Sequence, residues 1–295
     1  MTLQQLRQVL TIAESNSMNE AAKKLFVSQP NLSATVREVE EELGITVFMR
    51  NNRGITVTAE GEEFLGYAKQ VVEQYHLLEN RYLNVESKKK FSVSMQHYSF
   101  AVKAFVQLAK EVGMDEYEFA VHETKTKEVI DNVKNLKSEI GVLYLSDFNE
   151  KVLRKLFKEC DIEFKELFTC NTYVYLWKKH PLAGQKEITL DDLQEYPCLT
   201  FEQGVNNSFY YAEEMMSTYE YKRVIKADDR ATMLNLMVGL NGFTLCSGII
   251  SEDLNGDDYA AIPLKESEIM HIGYIKHKGT KLSKLGEIYI DALKN

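Results

Sequence analysis

Between Ser17 and Leu43 the chain reads SMNEAAKKLFVSQPNLSATVREVEEEL, and few folds accommodate that stretch. Met18, Ala21, Ala22 and Leu25 recur at helical spacing. Leu32, Val36, Val39 and Leu43 then step by four, three and four, which makes a single apolar stripe. The two alanines are small enough to let a second helix approach closely. Between the patterns lies a tight corner, Phe26-Val27-Ser28. The Ser28 side chain can accept a hydrogen bond from a free first-turn N–H, and Pro30 falls where a missing donor costs least. The opposite side of the second helix carries Gln29, Asn31, Ser33, Thr35 and Arg37, short polar groups with one guanidinium fork. A helix packed on a small domain with its front in a major groove has this composition. So does an ordinary helical hairpin with a solvated face, and the stretch alone leaves both open.

The next residues decide between them. Gly44 is followed by the apolar run Ile45 to Phe48, then by Met49 to Gly54 and the alternating Ile55-Thr56-Val57-Thr58. This predicts a two-stranded ribbon whose polar tip holds Arg50 and Arg53, a wing beside a helix-turn-helix. With these residues the chain resembles the LysR-type transcriptional regulators. Their N-terminal pattern stands here as Ala21-Ala22, Leu25, Ser28-Gln29-Pro30, Leu32-Ser33, Leu43-Gly44, Phe48, Arg50 and Thr58-Ala59-Glu60-Gly61. So many spaced matches are far more specific than any one short motif. The resemblance implies double-stranded DNA as a partner, read as an interrupted palindrome by two heads. Gln29, Asn31 and Ser33 are then expected at or near base edges, with Pro30 beside them. Thr35, Arg37, Arg50 and Arg53 are expected mostly along the backbone.

At 295 residues the chain can hold two or three domains with real cores. No apolar run reaches the length of a membrane span, and the start lacks the basic-then-apolar pattern of a signal peptide, so the expected compartment is the cytoplasm and no membrane partner is expected. Cys160, Cys170, Cys198 and Cys246 are scattered, without a histidine at ligand spacing; reduced thiols are expected, and no metal or other cofactor. The net charge of −9 argues against nucleic acid at first sight. Local placement outweighs it, because phosphate contacts need only a few well-sited cations. The acidic residues between Glu38 and Glu42 are expected at the far end of the recognition helix, with weak affinity per monomer and a reliance on dimerisation.

Taken in order, a winged helix-turn-helix is expected over residues 1–58, its first helix running from Thr2 to Ser15. A linker helix follows over 59–87. Phe64, Ala68, Val71, Tyr75, Leu78, Tyr82 and Val85 alternate four and three apart, a heptad seam that calls for a partner helix; the alternative is packing on the chain's own second domain. Residues 88–90 read as a hinge. From Phe91 short apolar strands alternate with helices, which predicts parallel sheets with helical cover. The strands expected are Phe91 to Gln96, Glu118 to His122, Ile140 to Leu145, Tyr173 to Trp177, Cys198 to Phe201, Arg223 to Lys226, Phe243 to Cys246 and Ile269 to Lys276. Interleaved helices include Ser99 to Val112, Thr126 to Leu136, Asn149 to Lys158, Ser208 to Tyr219, Ala231 to Leu240 and Ser283 to Leu293. Two α/β lobes, 91–162 with 269–295 and 163–268, would be joined by crossovers near Ile162 to Phe168 and Pro263 to Glu268. This fits the family's effector domain, which resembles periplasmic binding proteins. His180-Pro181-Leu182-Ala183, another family mark, reads as a structural corner.

In α/β sheets ligands sit beyond the carboxyl ends of strands, near helix N-termini. That rule selects segments containing His97, Ser99, Phe100, Thr124, Thr126, Asp147, Phe201, Glu202, Asp229, Arg230 and Ser247 as effector contacts. Ser99, Thr124 and Thr126 could equally cap helices; Arg230 could clamp a carboxylate or pair with Asp228 or Asp229; His97 could be a structural group. Met95 to Phe100, Ser138 to Gly141 and Asp229 to Thr232 resemble a subgroup of the family from low-GC Gram-positive bacteria that governs methionine and cysteine metabolism. That resemblance implies a sulfur-amino-acid precursor or a similar small zwitterion or anion as effector. The family further implies a homodimer, assembly to a homotetramer, and RNA polymerase as a partner. An enzyme is the first rival, but there is no Gly-rich phosphate loop, nucleophile elbow or His-Glu-x-x-His. A plain solute-binding protein is the second, and the winged N-terminus opposes it.

Overall fold

The computed structural model describes residues 1–15, 17–51, 54–82, 88–113, 116–205, 208–251, 254 and 256–294. The chain divides into two compact units, Met1–Ser87 and Lys88–Asn295.

In the first unit α1 (Leu3–Ala13) opens with a capping box in which Thr2 and Gln5 bond each other's backbone N–H. Helix α2 (Met18–Lys24) is capped by Ser17, and α3 (Gln29–Leu43) by Ser28 with Pro30 in its first turn. Gly44 ends α3 in the left-handed region at φ 70°. Val9, Ile12, Ala21, Leu32, Val39 and Val47 are fully buried between the helices and the wing. The alanine pair is thus the close-approach surface its size suggested. The wing is β1 (Phe48–Asn51) paired antiparallel with β2 (Gly54–Val57).

Helix α4 (Ala59–Tyr82) starts on a clasp that accounts for the Thr-x-x-Gly motif. The Thr58 hydroxyl donates to the Thr46 carbonyl and accepts the Gly61 N–H at 2.9 Å. A Cβ on Gly61 would stand 2.3 Å from the Val47 carbonyl oxygen, so the approach of helix to wing needs a glycine. Farther along the seam, Phe64 packs on the head and Ala68 is buried, whereas Val71, Tyr75 and Leu78 are 51%, 38% and 56% exposed. The Arg7 guanidinium lies 5.3 Å from the Tyr75 ring centre. Val85 and the Tyr82 side chain, the last seam positions, lie outside the described residues.

The second unit holds two lobes. Strands β3 (Lys89–Met95), β4 (Tyr117–Glu123), β5 (Ile140–Leu145), β6 (Ile162–Cys170) and β12 (Met270–His277) form the first sheet, in the order β4-β3-β5-β12-β6. Helices α5 (Ser99–Val112) and α9 (Lys284–Leu293) cover one face, α6 (Thr126–Lys134) and α7 (Glu150–Glu159) the other. The second sheet runs β11-β7-β10-β8-β9, from β7 (Tyr173–Trp177), β8 (Cys198–Phe201), β9 (Val224–Ala227), β10 (Phe243–Cys246) and β11 (Tyr259–Pro263). Helix α8 (Arg230–Leu240) packs on one of its faces through Met233 and Met237.

Five expectations are corrected. Both sheets are mixed: β12 is antiparallel to β5 and β6, and β7 is antiparallel to β10 and β11. Ile162 to Phe168 is no crossover but part of edge strand β6, because its backbone finds a partner along β12; residues 163–170 belong with the first lobe. Lys89 and Lys90 open β3 beside Tyr117 and Glu118, so the hinge read over 88–90 ends before them. Strand β11 went unread, its five residues framed by acidic and polar turns. The segment Ser208 to Tyr219 is not a helix beyond one short turn at Phe209–Tyr211. Its backbone is drawn to the first lobe instead: the Tyr144 hydroxyl donates to the Ala212 carbonyl at 3.0 Å, the Thr126 hydroxyl to the Tyr211 carbonyl at 2.7 Å, and Met215 enters that lobe's core.

Candidate functional site

The exposed front of α3 carries Pro30, Asn31 and Arg37, with Gln29 and Thr35 half-buried beside them. Ser33 departs from expectation. It is 8% exposed, on the shoulder of the apolar stripe, and its hydroxyl accepts the Gln29 side-chain amide at 2.8 Å. Ser33 therefore orients Gln29 and does not itself face outward. Thr35 donates to the Asn31 carbonyl at 3.3 Å. Arg50 lies in the wing strand β1, but its side chain, like all of Arg53, lies outside what is described. The acidic residues behind this front have internal work. Glu38 accepts the Gln5 amide at 3.0 Å, Glu40 accepts the Val47 and Phe48 N–H groups at 2.7 and 3.0 Å, and Glu42 pairs with the terminal ammonium at 2.6 Å. Glu40 thereby sets the wing against the recognition helix, so the negative charge is partly spent on local structure.

In the second unit a cavity with about 740 Å³ of empty space, part of it open to solvent, lies where the two lobes meet. The structure brings six expected residues to its wall: His97, Ser99, Phe100, Phe201, Arg230 and Ser247. The other five are elsewhere or occupied. Thr124 bonds Glu128 on a different groove of the first lobe. The Thr126 hydroxyl is consumed by Gln96 and the Tyr211 carbonyl. Asp147 is exposed outside the cavity, Glu202 accepts the Gly204 N–H at 3.0 Å, and Asp229 caps α8 through the Thr232 N–H at 2.9 Å. Each is a polar side chain near a strand end, where local hydrogen bonding and ligand binding ask for the same residue types.

The polar groups of the cavity form a chain across the lobes. His97 is stacked on Phe201 with ring centres 3.6 Å apart, and its Nδ1 stands 2.8 Å from Glu213 Oε2. The same oxygen accepts the His97 backbone N–H at 3.0 Å, while Glu213 Oε1 accepts the Gln203 amide at 2.9 Å. Gln203 Oε1 in turn accepts the Thr126 N–H at 3.2 Å. Arg230 pairs with Glu123, and Lys125 with Asp228 at 3.3 Å, so two more ion pairs bridge the lobes. Glu214 is buried; burial first, and then the neighbouring Glu213 charge, push its carboxyl up to about 8. Met233, Met237, Leu245 and Tyr175 supply an apolar wall. Glu213, Glu214 and the methionines were missed by sequence reasoning. The available signal was an acidic pair set in Ala212 to Met216, and Met233 and Met237 four apart on one helix face.

Two family marks prove structural. His180 is buried, its Nδ1 accepting the Leu182 N–H at 3.1 Å and its Nε2 donating to the Asn241 carbonyl at 3.0 Å. Glu139 holds the start of α9 by accepting the Ser283 N–H at 2.6 Å and hydroxyl at 2.8 Å.

Residues 3–62 match the family model of bacterial regulatory helix-turn-helix proteins of the lysR family, and residues 114–295 match that of the LysR substrate binding domain. The HTH-type transcriptional regulator CysL of Bacillus subtilis is 24% identical over 302 residues, covering 98% of this chain and 96% of CysL. Full-length OxyR from Pseudomonas aeruginosa has the same fold, with a TM-score of 0.72 at 19% identity over 100% of this chain and 95% of that one. Full-length CbnR in complex with its target DNA gives a TM-score of 0.59 at 17% identity, over 100% and 99% of the two chains. No helix among the described residues is long and apolar enough to cross a membrane. The chain belongs to the LysR family: it is a DNA-binding transcriptional regulator, not an enzyme, with a two-lobed effector domain for a small molecule.

Proposed function

We propose that the cavity between the lobes is the effector site and that its occupant sets how two heads, paired through α4, engage DNA in the cytoplasm. The observation that carries this reading is one apolar cavity walled by both lobes, with cross-lobe polar bonds at its rim. An effector that binds one lobe arrangement better than another shifts the population; one that binds both equally shifts nothing. On the DNA side, Gln29 and Asn31 meet base edges in the major groove, Ser33 keeps Gln29 in register, and Thr35, Arg37, Arg50 and Arg53 follow the phosphates. The site is an interrupted palindrome, held by a dimer or by two paired dimers, with RNA polymerase as the further partner. The resemblance of Met95 to Phe100 and Asp229 to Thr232 to the methionine and cysteine subgroup, and the end-to-end likeness to CysL, support an effector from sulfur amino-acid metabolism.

The test is a gel shift on the chain's own upstream DNA with salt varied. A regulator of this build binds a defined site with a steep salt slope. Gln29→Ala should lower discrimination between that site and base-substituted versions by about 5- to 150-fold, the worth of one bidentate base contact. Unchanged discrimination would remove Gln29 from the readout.

A further inference from the structure

Helix α4 is anchored to the head at two separate places. The first is its start, where the Thr58 clasp and the close approach of Gly61 to the Val47 carbonyl hold the first turn, and Phe64 and Ala68 continue the contact. The second is a clamp farther along, at Tyr75 and Glu79. The Arg7 guanidinium of α1 stands over the Tyr75 ring, 5.3 Å from its centre, and its Nη2 donates to Glu79 Oε2 at 3.4 Å. His76 Nδ1 approaches the same Glu79 oxygen at 3.3 Å. Arg7 Nε is covered and has no hydrogen-bond partner among the described residues. A covered N–H without an acceptor costs stability, and a partly exposed ion pair returns little of it. What the clamp does supply is geometry: a planar guanidinium laid on a ring and turned toward a carboxylate has one preferred orientation.

We propose that Arg7 is a positioning residue for DNA binding: by tying α1 to Tyr75 and Glu79 it fixes the angle between head and α4, and so the separation of half-sites that two paired heads accept. The assignment rests on the pairing of heads through α4 and adds what sets their spacing. One base pair added between half-sites displaces the second by about 3.4 Å along the duplex and turns it by about 34°. Shared between two heads, that is about 1.7 Å and about 17° each. Tyr75 lies about 21 Å along α4 from Gly61, at 1.5 Å per residue. Swinging the head about its first anchor by about 5° therefore slides the guanidinium roughly 1.8 Å across the ring. The clamp gives way under a smaller rotation than a wrong spacing demands. A head without it turns at little cost and accepts neighbouring spacings.

Footprinting on the chain's own upstream DNA locates the half-sites, and duplexes with their separation shortened or lengthened by one base pair are then titrated with the full-length protein. The parent is expected to prefer the natural separation by roughly tenfold or more. Arg7→Ala should cut that preference to about threefold or less while binding a single half-site within about twofold of the parent, because the α3 front is untouched. Tyr75→Phe keeps the ring and should keep the preference. Glu79→Ala loosens the clamp from the α4 side and should lower the preference by a smaller factor. Thermal melts of each variant control for folding, and Glu79→Ala keeps the test alive if Arg7→Ala melts early. Sedimentation of Arg7→Ala should return the parent's dimer constant; a weaker dimer would assign Arg7 to pairing and overturn the clamp. An Arg7→Ala protein as selective for spacing as the parent, or one whose half-site affinity falls as far as its spacing preference, also overturns the clamp and leaves pairing through α4 standing. A parent with no preferred separation overturns that pairing, and the clamp with it.

Discussion

Leu78 tests the pairing of α4 most directly. It is 56% exposed, on the same strip as Val71 and Tyr75, in a helix whose earlier seam positions are already packed on the head. Full burial of a leucine side chain contributes roughly 1.5–3 kcal/mol, so a partner helix would recover about 0.8–1.7 kcal/mol per copy from the exposed part. A symmetric seam contains the residue twice, so Leu78→Gln should cost about 1.6–3.4 kcal/mol of dimer stability. At about 1.4 kcal/mol per decade that is roughly a 15- to 250-fold weaker dimer. Glutamine is nearly as good a helix former as leucine, and Leu78 buries little within its own chain, so the monomer should melt as the parent does. Sedimentation equilibrium over a range of concentrations reads the dissociation constant. Glu73→Gln, on the opposite side of the helix, is the matched control and should change nothing. A Leu78→Gln protein with the parent's constant, or a Glu73→Gln protein weakened as much, would refute pairing along this strip.

Gly61→Ala should destabilise the head by roughly 1–3 kcal/mol, because the new methyl meets the Val47 carbonyl oxygen at 2.3 Å and backbone must move. A glycine-to-alanine change inside a free helix would gain about 1 kcal/mol, so the sign of a thermal melt decides the matter. Glu214 makes a pH prediction for the effector domain. Its folded carboxyl titrates near 8 against an ordinary 4.5, so as pH rises through that window the unfolded chain gives up its proton first and stability is lost. Glu214→Gln cannot pay that penalty; its melting advantage over the parent should grow from pH 5 to pH 8 and then level off. A constant gap across that range would mean that Glu214 is solvated.

Much of this molecule was legible from local rules. Ser17, Ser28 and Gly44 mark helix ends whatever surrounds them, because capping is a matter of first- and last-turn backbone groups. The stripe from Leu32 to Val39 and the alanine pair fixed which faces of α2 and α3 meet, and all are buried together. Helix α5 and strands β5, β7, β8 and β10 fall at the expected residues, since each is a short apolar run with clear boundaries. Tertiary structure alone decided the rest. Whether β6 was a connection or a strand depended on β12, more than a hundred residues downstream, offering its edge. Whether the segment from Ser208 became a helix depended on Tyr144 and Thr126 competing for its carbonyls and on a place for Met215 in the first lobe's core. That capture also carries Glu213 and Glu214 into the cavity. A sequence lists hydrogen-bonding and charged groups but does not say which of them will find partners; here the partners of Thr126 and Asp229 took them out of the pocket, while Glu214 lies in its wall with its carboxyl held by the Phe201 N–H.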